Sequence, residues 1–324
     1  MHRTAYLVTI ANDPAVLPQA GARLNDYVIS VLLGIIEGLT EFLPVSSTAH
    51  LRIGEALFDI SLDDPYWKMY TIVIQLGAIL ALTFLFTGRI IEFVRTFPRG
   101  EDGKHTIRNH PLTLTLVAFV CTAIPALALT PVIGRHLESL RVMALSLIIG
   151  GIVMWIVDAW SVRRDLPVSD VEQMSLPQSI WIGLCQVTSA VFPGTSRSMS
   201  TIAAGQLAGM TRPAALEFSF LVSIPTMFAA TIYDLLKALF PGLHLLHRHH
   251  GAATASHAAL APLAMTGHGW LVLIVGFLVS FFVALGVVEW FLQWVRTHGF
   301  VLFAVYRLLL GAAIFIFGAR MMAN

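Results

Sequence analysis

Glu-Gly-Leu-Thr-Glu-Phe-Leu-Pro-Val-Ser-Ser-Thr-Ala-His, residues 37–50, closes an apolar run that starts at Tyr27. The run does not read as an ordinary membrane span. Glu37 and Glu41 lie four positions apart and so share one helix face, and Pro44 then breaks the helix. A helix restarting after Pro44 would begin at Ser46-Ser47-Thr48, with free backbone N–H groups and a positive dipole end that suit an anion such as phosphate. Ser47 and His50 share a face of that second helix. A hydroxyl beside an imidazole, with a carboxylate in reach, is the composition of an activated nucleophile. Read alone, Ser-Ser-Thr is equally a common helix cap, so the assignment needs a second line of support.

That support lies 149 positions further on. Ser179–Met199 is also apolar, breaks at Pro193-Gly194 and runs into Thr195-Ser196-Arg197-Ser198. Setting Pro44 on Pro193 also sets Gly34 on Gly183, Ser47 on Ser196, Glu37 on Gln186 and Ser46 on Thr195. The same offset places the apolar run from Met69 against that from Phe218. This is an internal duplication whose period is far too long for a solenoid.

The rest of the chain supplies the solvent. Of 324 residues, 56% are hydrophobic and 12% charged, with a mean hydropathy of +0.77. A soluble domain carries about 25% charged residues, so the expected solvent is lipid. Thr71–Thr87, Leu112–Thr130, Val142–Trp160, Leu216–Phe240, Trp270–Val295 and Phe300–Ala319 approach or reach the ~20 residues that cross a bilayer. The expected fold is an all-α polytopic membrane protein: six full spans plus two re-entrant helix–loop–helix segments, in two inverted-topology repeats. Three spans separate the two broken segments. An odd number means that they enter from opposite faces, so their tips meet near the midplane, an arrangement in which irregular backbone lines a cavity. A single membrane domain, 27–320, is expected, with repeats of about 27–161 and 178–320 and an N-terminal extension, 1–26, in which Met1–Ala22 lacks the pattern of a cleaved signal peptide. Cys121 and Cys185 read as small hydrophobes rather than a disulfide or metal pair. A net charge of +1 gives no support for a nucleic-acid partner. Arg89, Arg95, Arg99, Lys104, Arg108, Arg163 and Arg164 collect on one side, which the positive-inside rule makes cytoplasmic. The first broken segment then enters from the periplasmic side.

Arg197 adds a planar fork of donors that matches phosphate oxygens. One half thus brings acid–base groups, the other a cation, and both bring hydroxyls and helix N-termini: an inventory for phosphoryl transfer. At these residues, Glu37–His50 and Pro193-Gly194-Thr195-Ser196-Arg197-Ser198, the sequence resembles the two signature motifs of bacterial undecaprenyl-diphosphate phosphatases of the bacitracin-resistance type. Motif spacing, span count and the Gln75-Leu76-Gly77 run extend the resemblance over nearly the whole chain, with departures at Ala49 and Met199, where the family frequently has glycine. The resemblance implies a hydrolase in the bacterial inner membrane that converts undecaprenyl diphosphate, the lipid carrier of peptidoglycan synthesis, to the monophosphate and inorganic phosphate. Its implied site residues are Glu37, Glu41, Ser46, Ser47, Thr48, His50, Thr195, Ser196, Arg197 and Ser198.

On this reading Ser47 attacks the terminal phosphorus, His50 is its base, Glu41 orients His50, and Arg197 holds the developing charge. His50 or water as nucleophile stays open at this stage. Glu37 and Glu41 are the candidate ligands of a divalent cation, Mg²⁺ or Ca²⁺, and no organic cofactor is expected. Membrane lipid is the expected surrounding, and the sequence is compatible with a homodimer. A polyprenyl-phosphate flippase is the rival, since inverted repeats with broken helices are typical of transporters. Trp290 and Trp294 read as interface anchors. Arg307 reads as an arginine snorkelling from the last span, with a second phosphate contact or a buried carboxylate's partner as the alternative. The histidines of His244–His268 read as an exposed loop.

Overall fold

A computed structural model of the protein describes residues 25–61, 64–101, 103, 105–133, 139–239 and 266–321. Met1–Ala22 and the histidines from His244 to His257 lie outside the described residues. The chain forms α1 (Asp26–Thr40), α2 (Ser47–Leu57), α3 (Pro65–Leu85), α4 (Thr87–Thr96), α5 (Pro111–Ala128), α6 (Thr130–Ile133), α7 (Leu140–Ser161), α8 (Leu176–Val191), α9 (Arg197–Leu207), α10 (Arg212–Leu239), α11 (Gly267–Thr297) and α12 (Val301–Met321). Among the described residues there is no strand, only one isolated bridge between Val168 and Met210.

Six helices are long and apolar enough to span a membrane: α3, α5, α7, α10, α11 and α12. The starts are set locally. Asn25, Asp64, His110, Ser139 and Thr266 each accept a hydrogen bond from the first turn they cap, and Pro65 and Pro111 sit where a helix has no N–H to spare. The polar caps mark the ends of apolar runs, so each run starts and stops at a defined depth. The two pairs α1–α2 and α8–α9 are half-length and turn back at Pro44 and Pro193.

The duplication is visible in side chains as well as in order. Ser30 on α1 donates to the Val272 carbonyl of α11 at 2.7 Å, and Ser179 on α8 donates to the Leu114 carbonyl of α5 at 2.5 Å. One turn on, Gly34 and Gly183 face the same partner helices, and a Cβ on either would run into a main-chain carbonyl, that of Gly276 at 2.7 Å or that of Ala118. Ser30 with Ser179, and Gly34 with Gly183, keep the 149-residue offset. Each re-entrant helix therefore docks on a span of the opposite half, while α7 packs against α12. This exchanged packing gives inverted repeats whose tips meet inside the bundle.

On the side of the basic loops, α4 lies beside the bundle and Arg89 bonds Glu217 (3.1 Å), Glu172 and Glu92 (both 3.3 Å). Buried Asp158 of α7 accepts both arms of Arg212 (2.6 and 2.8 Å), the Gln206 amide (3.3 Å) and the Phe300 N–H (2.9 Å). These bonds pin α7, α9, α10 and α12 together at one end. The Ser30 and Gly34 contacts with α11 hold the other end. Gly34→Ala is expected to lower stability by about 1–3 kcal/mol through overpacking, whereas Gly286→Ala, with open space around it, is expected to be neutral. Thermal unfolding in detergent checks the pair.

Candidate active site

Each tip ends in a serine held in unusual backbone geometry. Ser46 caps α2 at φ 75°, ψ 94°, and Ser196 caps α9 at φ 70°, ψ 122°. Asp59 is the only other non-glycine residue at positive φ among the described residues. Such conformations cost on the order of 1–3 kcal/mol each and persist where surrounding structure enforces them. They also correct the tip register. The two caps are 150 positions apart, so the second tip carries one extra residue and Ser47 corresponds to Arg197, not to Ser196. The first helical position thus holds the hydroxyl in one half and the cation in the other.

The halves join through three contacts. Arg197 Nη2 meets Glu41 Oε1 at 3.3 Å, and the other Glu41 oxygen accepts a short hydrogen bond from the Ser47 hydroxyl. Ser198 donates to the Leu43 carbonyl at 3.0 Å. Arg307 of α12 reaches carbonyls of both tips. Arg197 spends one nitrogen on Glu41, while its Nη1 is buried with no acceptor. Glu37 is fully buried, one turn before Glu41, and neither of its oxygens has a donor.

A polar cavity of about 280 Å³ opens on these groups, lined by Glu41, Ser46, Ser47, Thr48, Ser196 and Arg197 among others. A side chamber of about 150 Å³ adds Glu37, Arg52 and Glu55, and Gln75 lines both spaces. Three expected residues are not in this space. Thr195 faces an apolar cavity between α7, α8 and α9. Ser198 is buried and bonded to Leu43 and Ser196. His50 places Nδ1 against the Ser46 carbonyl (2.7 Å) and Nε2 against the Tyr306 hydroxyl (2.5 Å).

The Ser47–His50 pairing expected from helical spacing is therefore not made. A carbonyl at Nδ1 fixes the proton there, so Nε2 accepts from Tyr306. His50 braces the N-terminus of α2, and the group in contact with the Ser47 hydroxyl is Glu41. Arg307 is likewise not a snorkelling residue: it is fully buried. Sequence reasoning assigned no role to Gln75 or Tyr306, and it favoured snorkelling over a polar contact for Arg307. The signal for Arg307 was present, an arginine inside an apolar span.

The model of the family described as bacitracin resistance protein BacA matches residues 30–313. The chain belongs to the BacA family. This BacA-family chain is similar to the undecaprenyl-diphosphatase of Koribacter versatilis, at 60% identity over 90% of this chain and 98% of that one. It is also similar to the undecaprenyl-diphosphatases of Rhizobium etli, at 39% identity over 88% and 95% of the two chains, and of Xylella fastidiosa, at 40% over 87% and 95%.

The contact between Ser47 and Glu41 makes a covalent route testable in this BacA-family site. Rapid acid quench with labelled substrate is expected to trap phosphate on the unsubstituted chain and on His50→Ala, and none on Ser47→Ala. An adduct that survives in Ser47→Ala identifies a different nucleophile.

Proposed function

We infer that this membrane protein is an undecaprenyl-diphosphate phosphatase, hydrolysing the C55 lipid diphosphate to the monophosphate and inorganic phosphate. One observation carries the reading: Arg197 of one re-entrant tip grips the carboxylate of the other tip that accepts the Ser47 hydroxyl. Family membership and the names of the relatives support the same activity.

The geometry supports the following course. The terminal phosphate enters the polar cavity between the N-termini of α2 and α9, whose dipoles favour an anion. Arg197 Nη1, free of protein acceptors, binds an equatorial oxygen. Ser47 Oγ attacks the terminal phosphorus as its proton passes to Glu41. The bond to the bridging oxygen breaks, and undecaprenyl phosphate leaves as an anion that needs no proton. Glu41 releases that proton to solvent, water attacks the phosphoserine as its own proton passes to Glu41, the bond from phosphorus to the Ser47 oxygen breaks, and Glu41 returns the proton to that oxygen. The catalytic residues are thus Ser47, Glu41 and Arg197, with Ser46, Thr48 and Ser196 lining the substrate cavity. His50, Thr195 and Ser198 support the tips.

A divalent cation, Mg²⁺ or Ca²⁺, fits this donor set. Glu37 offers two buried oxygens without donors beside Glu41. Among the described residues no group of three His, Cys, Asp or Glu could hold a metal alone, so substrate phosphate oxygens and water would complete the shell, as Mg²⁺ commonly requires. Bound there, the ion would neutralise part of the diphosphate charge.

We place the protein in the bacterial inner membrane with the site open to the periplasmic side. Gln75, Thr226, Met227 and Ala230 line the cavity toward the end of the bundle away from the basic loops, and the Arg89 and Asp158 networks close the other end. The lipid tail stays in the bilayer. A polyprenyl-phosphate flippase would use the same anion site but has no use for a hydroxyl bonded to a carboxylate.

Phosphate release from C55 diphosphate by the purified protein is the decisive assay. Multiple turnovers are expected from the unsubstituted chain, with a loss of about 10²–10³-fold in kcat for Arg197→Ala, the scale of removing one charge-stabilising donor. Lipid movement across vesicles without phosphate release would establish the flippase instead.

A further inference from the structure

Arg307 leads the fully buried side chains of the described residues in size, and it bonds to no carboxylate. Its Nη1 donates to the Pro44 carbonyl at 3.1 Å. Its Nη2 is shared among the carbonyls of Ser146 (3.2 Å), Gly194 (3.1 Å) and Thr195 (2.9 Å). One guanidinium therefore holds the first tip, the second tip and α7 together, and Nε is left without an acceptor.

The surrounding helices are cut to fit it. On α7, a Cβ at Gly150 would collide with Arg307 Nη2 and lie 3.1 Å from Cζ, and one at Gly151 would lie 3.3 Å from the Arg307 Cβ. Gly194, at φ +91°, turns the second tip so closely onto α7 that a Cβ there would sit 2.6 Å from the Met143 carbonyl. An arginine buried against carbonyls alone is a costly arrangement. Its planar fork suits it to several fixed acceptors at once, which an ammonium group does not match.

The peptide plane carries the consequence forward. In a trans peptide the N–H points opposite to the C=O of the same unit. Holding the Thr195 carbonyl toward Arg307 therefore turns the Ser196 N–H the other way, and Ser196 lines the polar cavity. Arg307 itself does not line that cavity. It sits behind the tips, and its charge adds to the two helix N-termini in favouring an anion in front of them.

We propose that Arg307 is the positioning residue of the site: by clamping the carbonyls of Pro44, Gly194 and Thr195 it sets the separation of the two tips, aims the Ser196 N–H at the substrate phosphate and keeps Ser47 in line with the phosphate held by Arg197. The proposal rests on the phosphatase reading. It acts on the transition state more than on lipid binding, because Arg307 holds main-chain carbonyls and does not line the cavity.

The test uses the full chain in detergent or nanodiscs with C55 diphosphate. Arg307→Lys keeps the charge and loses the fork. Gly150→Ala keeps Arg307 and displaces its fork. For Arg307→Lys, kcat is expected to fall about 100-fold, the scale of an ångström of misplacement, with KM little changed. The inhibition constant of orthovanadate, a mimic of the phosphoryl transition state, is expected to rise in step. Gly150→Ala is expected to shift both quantities in the same direction, and the double variant to be no worse than Arg307→Lys, since both act on one contact. Gly286→Ala serves as the unaffected control. A folded Arg307→Lys protein with unchanged kcat and unchanged vanadate inhibition overturns the proposal, as does a variant that loses only melting temperature. An inert unsubstituted chain overturns the phosphatase reading and this inference together, whereas an active chain matched by both single variants overturns the positioning role alone.

Discussion

Backbone that leaves its helix inside a bilayer has no water to turn to, and every freed carbonyl must find a donor within the protein. This chain breaks two helices at that depth, at Pro44 and at Pro193-Gly194. In the first tip, the carbonyls released there take donors from the other half. Ser198 of the second tip covers the Leu43 carbonyl of the first, and Arg307 covers Pro44, Gly194 and Thr195 at once. The first tip is not complete without the other half. The site therefore forms only where the duplicated halves meet, and solving the backbone problem is what assembles it.

The scaffold is close to symmetric and the chemistry is not. Ser30 and Ser179, and Gly34 and Gly183, make equivalent docking contacts. At the tips the equivalence of position is kept and the residues diverge: Ser47 opposite Arg197, and Glu37 opposite Gln186. Gln186 spends its amide on Thr226 at 3.1 Å, whereas Glu37 keeps two oxygens free of donors. One half carries the hydroxyl and its carboxylate partner, the other the arginine that meets that carboxylate. A catalyst for moving a phosphoryl group needs both in one cavity, and duplication followed by divergence supplies them on facing helix N-termini.

What the sequence made legible follows from what leaves a pattern. Apolar length located the six spans, and proline followed by hydroxyl residues located both tips. The 149-residue offset was readable because Gly34 and Gly183 are constrained by the same close approach. The extra residue in the second tip was not readable, since matching Pro44 to Pro193 gives no hint of a gap beyond them. A Ser47–His50 contact was expected because helical spacing places both on one face, whereas His50 meets Tyr306, 256 positions away. Arg307 was read as snorkelling because an arginine serving main-chain carbonyls needs no acidic residue to announce it. Besides its place in an apolar span, its trace was the Gly150-Gly151 pair on the helix that faces it.

The same bonds bear on whether this fold moves. Alternating access requires one repeat to rock against the other around a fixed site. Here such a motion would have to part Arg307 from the Pro44 and Ser146 carbonyls of the first repeat, Arg197 from Glu41, and Asp158 from the donors it gathers from the second repeat. The charged members among these are buried or nearly so, and separating a buried pair costs about 3–5 kcal/mol when it leaves a charge unmatched. A transporter would have to break several of them together in every cycle. A hydrolase breaks none: its substrate carries the tail in the bilayer, brings only the diphosphate to the tips, and leaves with one phosphate fewer. The fixed clamp, a burden for rocking, is what in-line attack on phosphorus requires.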